Sequence, residues 1–199
     1  MLSNVLTASF YTHLLSCVMD QYRKTPRANF LDYDGGNFFV TICTKNRKHF
    51  FGEIYNGEMH LSAVGQYVES QLESASHYCS GIEVPLFVVM PNHIHAIVGV
   101  KSADMPLAYM EGNMQQRSPI PSFRANPTNN RHVPALSKYV SSLKGTVTKY
   151  AKSQGIEFGW QPRYHDHLIR LFKDGNKISE YIMNNVAKWQ DDCFWTDGI

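Results

Sequence analysis

The feature that most constrains this chain is a pair of apolar runs with only a proline and an asparagine between them. "VPLFVVM" spans Val84 to Met90, and "HIHAIVGV" begins at His93. The first run reads as an apolar strand, and Pro91-Asn92 marks a turn or bulge. The second run then continues as the adjacent strand. Side chains alternate along a strand, so His93 and His95 point one way with Ile97, while Ile94, Ala96 and Val98 point the other. Two imidazoles about 7 Å apart along a strand can converge on one divalent cation. A polar sheet edge with two unrelated histidines would give the same pattern.

The rest of the chain supplies partners for this strand pair. "FFVTICT", Phe38 to Thr44, follows Gly35-Gly36 and is rich in aromatic and β-branched residues, a strand signal. "KNRKHFFGEI" reads as a polar, basic connection, and "MHLS", Met59 to Ser62, as a short strand. In "SAVGQYVESQLESASHYC", Val64, Tyr67, Val68 and Leu72 fall on one helical face. Leu136, Val140, Leu143 and Val147 do the same for a helix over 135–152. "GWQPRYHDHLIRLF" has the content of a strand or ordered loop. Asp174-Gly175-Asn176 reads as a turn, and a third helix follows over 177–192. Runs of adjacent strands predict an α+β fold, an antiparallel sheet with helices on one face. Residues 101–134 lose periodicity and are rich in Asn, Pro, Ser and Gln, which predicts a flexible insertion within one domain spanning 21–199.

Composition limits the function classes. Hydrophobic content of 43% is ordinary for a soluble globular protein. A net charge of +2 is too small to announce a nucleic-acid binder, but its distribution is uneven. From Arg131 to Lys188 there are ten Lys/Arg against four Asp/Glu, so the remainder is net acidic. A basic segment of this kind suggests a polyanion-facing surface, although a solvated face without a ligand would look the same. Cys17, Cys43, Cys79 and Cys193 are scattered, with no CxxC pair to suggest a zinc finger, and fit a reducing cytoplasm. No apolar run reaches the length of a membrane span. Residues 1–20 read as an extension. Its apolar run has no Lys or Arg ahead of it, which argues against a signal peptide. It reads either as a short amphipathic helix or as upstream sequence preceding a start at Met19.

Within the third helix, Tyr181 and Asn185 are four residues apart and share a face, flanked by Asn184 and Lys188. Asparagine is a poor helix-interior residue, because its amide competes for local backbone bonds. Either the helix starts or frays at Asn184-Asn185 or the pair is exposed, or an amide oxygen of the pair supplies a third ligand to a cation held by His93 and His95. In the last case Tyr181 lies beside that cation.

The sequence resembles the single-tyrosine HUH transposases, and specifically the branch associated with REP palindromes. The resemblance runs from about Asp20 to Asp192 and is carried by "FFVTICTKNRKHFFGEI", "FVVMPNHIHAIV", "SLKGTVTKY", "WQPRYHDHLIR" and "EYIMNNVAKWQDD". It implies an RRM-like or ferredoxin-like antiparallel sheet with helices packed on it, and a homodimer. It also implies that His93 and His95 are the HUH histidines, Tyr181 the nucleophile and Asn185 the third metal ligand. Where the family usually has proline after that asparagine, this chain has Val186.

The implied reaction is DNA transesterification on single-stranded or hairpin, REP-like DNA, through a 5′-phosphotyrosine, with Mg²⁺ or Mn²⁺. Zinc would more commonly draw another His or a Cys. A free phenol with a pKa of about 10 needs activation, and no general base stands out. Lys138, Lys144, Lys149 and Lys152 are candidate phosphate contacts, with Arg163 and Arg170 behind them and Lys188 on the third helix. His167, and less so His165, are candidates for a DNA or supporting role, and Trp160 reads as a core or loop anchor. Two other classes compete. One is a palindrome-binding protein with an idle nucleophile. The other is a metal-dependent nuclease that uses water.

Overall fold

The computed structural model describes residues 35–101 and 133–196. The N-terminal extension and nearly all of the 101–134 segment lie outside the described residues. A four-stranded antiparallel sheet is built from β1 (Gly36–Cys43), β4 (Ile82–Met90), β5 (His93–Val100) and β6 (His165–Ile169), in the order β4-β5-β1-β6. Helix α1 (Ala63–Glu73) and the short α2 (Ala75–Tyr78) lie between β1 and β4 in the chain. Helix α3 (Ala135–Ser153) joins β5 to β6. That strand order and connectivity is the ferredoxin-like arrangement. β2 (Gly52–Tyr55) and β3 (Glu58–Leu61) form a separate two-stranded sheet. Helix α4 (Phe172–Asn184) and a 3₁₀ turn (Val186–Asp191) complete the order.

Alternation sorts the sheet into two faces. Phe38, Val40 and Ile42 of β1 and Ile94, Ala96 and Val98 of β5 pack with Val64, Val68 and Leu72 of α1 and Leu136, Val140, Leu143 and Val147 of α3. Burying an aliphatic or aromatic side chain contributes about 1.5–3 kcal/mol, so this layer is the main core. The other face carries His93 and His95, with Cys43 and Thr41 opposite them on β1 and Met90 and Val88 opposite them on β4. It is covered by α4, the 3₁₀ turn and the segment after it, through Tyr181, Trp189 and Phe194. The expectation of helices on one face is therefore corrected: they cover both.

Two further readings change. "GEIY" is a strand and not connection. Asn56 and Gly57 both have positive φ (55° and 79°), the turn that closes a two-residue hairpin. Asp174-Gly175-Asn176 lies inside the beginning of α4, whose first turn is closed by Asp174 N and Gly175 N donating to Leu171 O at 3.0 and 3.1 Å. Turn-forming residues are tolerated there, and Asp174 complements the helix dipole. The helix ends at Asn184, with Asn185 as its C-cap and the 3₁₀ turn beyond.

Helix α1 packs closely on the backbone of Phe51, just ahead of the hairpin. Ser62 caps α1 by accepting from Gly65 N at 3.1 Å, and a Cβ on Gly65 would sit 2.1 Å from Phe51 O. Gly65→Ala should therefore lower stability by about 2–3 kcal/mol, despite alanine's better helix propensity. A thermal melt should show a midpoint lower by roughly 5–10 °C.

Candidate metal and tyrosine site

His93 and His95 stand at the start of β5, fully or almost fully buried at 0% and 2% exposure. The two-residue turn Pro91-Asn92 aims them. Asn92 is buried, and its Nδ2 donates to Phe194 O at 2.8 Å and to Arg47 O at 3.2 Å. Its Oδ1 therefore faces His93 Nδ1 at 2.8 Å. An amide oxygen only accepts, so His93 carries its proton on Nδ1 and presents a lone pair on Nε2. That Nε2 is buried and has no protein partner. His95 Nδ1 lies 2.8 Å from Thr41 Oγ1, directly across the ladder.

Helix α4 brings the tyrosine to this face. Tyr181 Oη lies 3.1 Å from His95 Nε2 and donates to Asp192 Oδ2 at 3.1 Å. The ring meets Phe39 edge-on, at 6.1 Å between centroids. Four residues on, Asn185 is 3% exposed, and its Nδ2 donates to Asp192 Oδ2 at 3.0 Å. Asn185 Oδ1 is buried without a partner. The local cost of asparagine is thus taken at a helix C-cap, with the side chain turned inward. Asp192 is fixed by the backbone N of Phe194, which donates to its Oδ1 at 2.7 Å.

Electrostatics follow from burial. Desolvation lowers His95 to about 4, with the Asp192 charge opposing. His93 is held well below the ordinary imidazole value by burial first, then by the His95 and Arg47 charges. Tyr181 is pushed well above the usual phenol value by burial, then by the Asp192 charge. Both imidazoles are therefore neutral and able to ligate at physiological pH, and the phenol is protonated.

The donor set fits a divalent ion. Ligand atoms of His93, His95 and Asp192 all lie within 4.8 Å of one another. Two of the buried acceptors without a partner, His93 Nε2 and Asn185 Oδ1, belong to the same small group of residues. Two imidazole nitrogens with amide and carboxylate oxygens suit Mn²⁺ or Mg²⁺.

Sequence reasoning named His93, His95, Tyr181 and Asn185, and the fold gathers these side chains on one face. It missed Asp192, Asn92, Thr41, Arg47 and Phe194. Asn92 could have been found, since a polar residue directly ahead of two buried histidines has an obvious orienting role. Asp192 carried no signal, because "QDD" at the end of a predicted helix looks like a solvated terminus. Arg47 donates to Cys193 O at 2.8 Å and lies 5.0 Å from the Phe194 ring centre, which ties the final described segment over the histidines.

The candidate DNA contacts scatter. Lys138, Lys149 and Lys152 are exposed on α3, whose apolar side packs the opposite face of the sheet. Lys144 is half-buried; its ammonium donates to Gln161 O at 2.9 Å and to Arg163 O and lies over Trp160. Trp160 donates to Lys144 O at 3.1 Å, bridges to Thr44 and packs on Phe51 and Phe158, as a loop anchor does. His165 and His167 pair with Thr41 and Phe39 of β1, so they share the His95 face two strands away from it. His167, Arg163, Arg170 and Lys188 are exposed, the two arginines flanking β6 at its ends.

Comparison with known proteins agrees with this layout. No protein-family model matches the sequence. A solved structure of the REP-associated tyrosine transposase bound to a REP hairpin superposes with a TM-score of 0.53, at 18% identity, over 83% of this chain and 74% of that one. The chain has the fold of that transposase. A protein of Haemophilus influenzae without a described function is 29% identical over 183 residues, covering 88% of this chain and 94% of its own length. Among the described residues of this transposase-like fold, no helix is long and apolar enough to cross a membrane.

Proposed function

We propose that this chain is a single-tyrosine HUH transposase that cleaves and rejoins single-stranded, hairpin-forming DNA of the REP type. The observation that carries the reading is the encounter of Tyr181 Oη with His95 Nε2 at 3.1 Å, on the face that also holds His93. A phenol from one helix and an imidazole pair from a distant strand meet in a transposase fold. The solved relative's hairpin ligand supports hairpin DNA as the substrate class.

His93 Nε2, His95 Nε2 and Asn185 Oδ1, with Asp192 beside them, would hold a Mg²⁺ or Mn²⁺ ion. When bound, that ion acts as a Lewis acid toward a non-bridging oxygen of the scissile phosphate. The chain's own residues do the rest. Asn92 and Thr41 fix the two imidazoles in orientation, and Phe194 and Trp189 exclude water from them. Tyr181 attacks phosphorus as its phenolic proton passes to water, and the departing 3′-oxygen takes up a proton from water. The Oη–P bond forms and the P–O3′ bond breaks, leaving a 5′-phosphotyrosine and a free 3′-hydroxyl. The phosphodiester energy is retained, so rejoining needs no nucleotide cofactor.

The strand should cross the histidine face, with His167, Arg163, Arg170 and Lys188 contributing to its electrostatic footprint. Lys138, Lys149 and Lys152 would act only where a hairpin stem wraps around to α3. A homodimer is a separate proposal from kinship. Tyr181, His93, His95 and Asn185 converge within one chain, so the chemistry does not need a residue from a second copy. The free thiols of Cys43, Cys79 and Cys193 support a reducing, cytoplasmic setting.

The test uses hairpin oligonucleotides labelled at the 5′ or the 3′ end, incubated with the protein and Mn²⁺ and run on a denaturing gel. The expected result is a protein-shifted band with the 3′ label only, since the 5′-phosphate of the downstream fragment joins the tyrosine. Tight hairpin binding with no shifted band from either label would favour a binding protein.

A further inference from the structure

The Tyr181 hydroxyl has one hydrogen, and it goes to Asp192 Oδ2. Toward His95 Nε2 it can therefore only accept. In this arrangement His95 carries its proton on Nε2 and takes the Thr41 hydroxyl's hydrogen on Nδ1. An imidazole nitrogen offers one lone-pair direction, in the ring plane. A cation ligated there at about 2.0–2.2 Å must come along the direction that the phenol oxygen takes. Asp192 Oδ2, likewise, is spent on the phenol and on Asn185 Nδ2. Yet Asp192 lies within ligating range of the same point as both imidazoles, and Phe194 N fixes its carboxylate with Oδ2 turned inward.

We propose that the Tyr181 phenol and the divalent ion are alternative occupants of one seat formed by His95 Nε2 and Asp192 Oδ2. Asp192 is then both the anchor of the parked nucleophile and a ligand of the ion. This rests on the proposed function, in which His93 and His95 hold a divalent cation. Ion binding flips His95 to the Nδ1–H tautomer, whose hydrogen Thr41 Oγ1 can accept. It takes Asp192 away from the phenol and so releases Tyr181 toward a phosphate on the same face. The nucleophile is free only when the ion that activates the substrate is present.

The competition reads out in metal affinity without any DNA. Chelator-stripped full-length protein is titrated with Mn²⁺, following the free-ion paramagnetic resonance signal, for wild type, Tyr181→Phe, Asp192→Asn and His93→Gln. Tyr181→Phe removes the competing hydroxyl and should bind Mn²⁺ roughly five- to tenfold tighter, the size of one or two net hydrogen bonds. Asp192→Asn keeps the shape but not the charge, and should bind at least about tenfold more weakly. An unchanged or weaker affinity in Tyr181→Phe would overturn the shared seat, and a wild-type affinity in Asp192→Asn would remove Asp192 from the ligands. The Tyr181→Phe affinity decides between shared and separate seats even where Asp192→Asn folds poorly. If wild type and His93→Gln take up Mn²⁺ equally weakly, the metal reading itself fails. If wild type binds and only the Tyr181→Phe gain is missing, the failure belongs to this inference alone.

Discussion

Tyr181→Phe is expected to abolish the covalent protein–DNA band and to lower hairpin cleavage by about 10⁴-fold or more, as loss of a nucleophile does. The substitution is a clean one here. The ring keeps its edge-on contact with Phe39 and its packing on His95, at 6.1 and 5.1 Å between centroids. Only the hydroxyl and its two hydrogen bonds go, a loss of about 1–2 kcal/mol that a folded domain tolerates. The variant should also hold Mn²⁺ more tightly than wild type, so its inactivity cannot be assigned to lost metal. Cleavage at the wild-type rate in Tyr181→Phe would make water the nucleophile and the protein a metal-dependent nuclease.

Why some of this was legible in the sequence and some not has a physical basis. The period-two pattern of "HIHAIV" separates an imidazole face from an apolar face, and the structure follows it residue by residue: Ile94, Ala96 and Val98 enter the main core and His93 and His95 the other layer. The spacing of Tyr181 and Asn185 likewise survives as one helical face, because only local geometry is involved. What failed was either over-read or non-local. "DGN" carries a turn signal that the first turn of α4 absorbs. The "YNGE" hairpin signal was present but was hidden by the basic residues ahead of it. Asp192 is out of reach of sequence reasoning for another reason. Its role depends on the 3₁₀ turn over 186–191 reversing the chain so that its carboxylate returns to Tyr181 and Asn185. No spacing rule encodes that return. The α3 lysines were legible in one respect and not in another. Their charge was visible, but the side of the sheet on which α3 packs is a property of topology.

The second large effect expected is a loss of stability in mild acid, before any carboxylate chemistry. In the unfolded chain both histidines should titrate near 6.5, whereas in the fold burial holds His95 to about 4 and His93 well below its ordinary value. Between those limits the unfolded state binds more protons than the native state, so stability falls as pH falls. The contribution is fully present above 6.5 and is lost on descent to about 4. For His95 alone this amounts to on the order of 3 kcal/mol, a substantial share of the 5–15 kcal/mol typical of a domain, and His93 adds to it. Urea midpoints measured across that window should drop steadily, and His95→Gln should flatten part of the slope. Added Mn²⁺ should still raise the midpoint well below 6.5, because the folded imidazoles remain neutral there; exposed histidines would already have lost the ion to protons. A midpoint independent of pH through the window would mean that the folded imidazoles take up protons as readily as exposed ones, and would overturn this prediction.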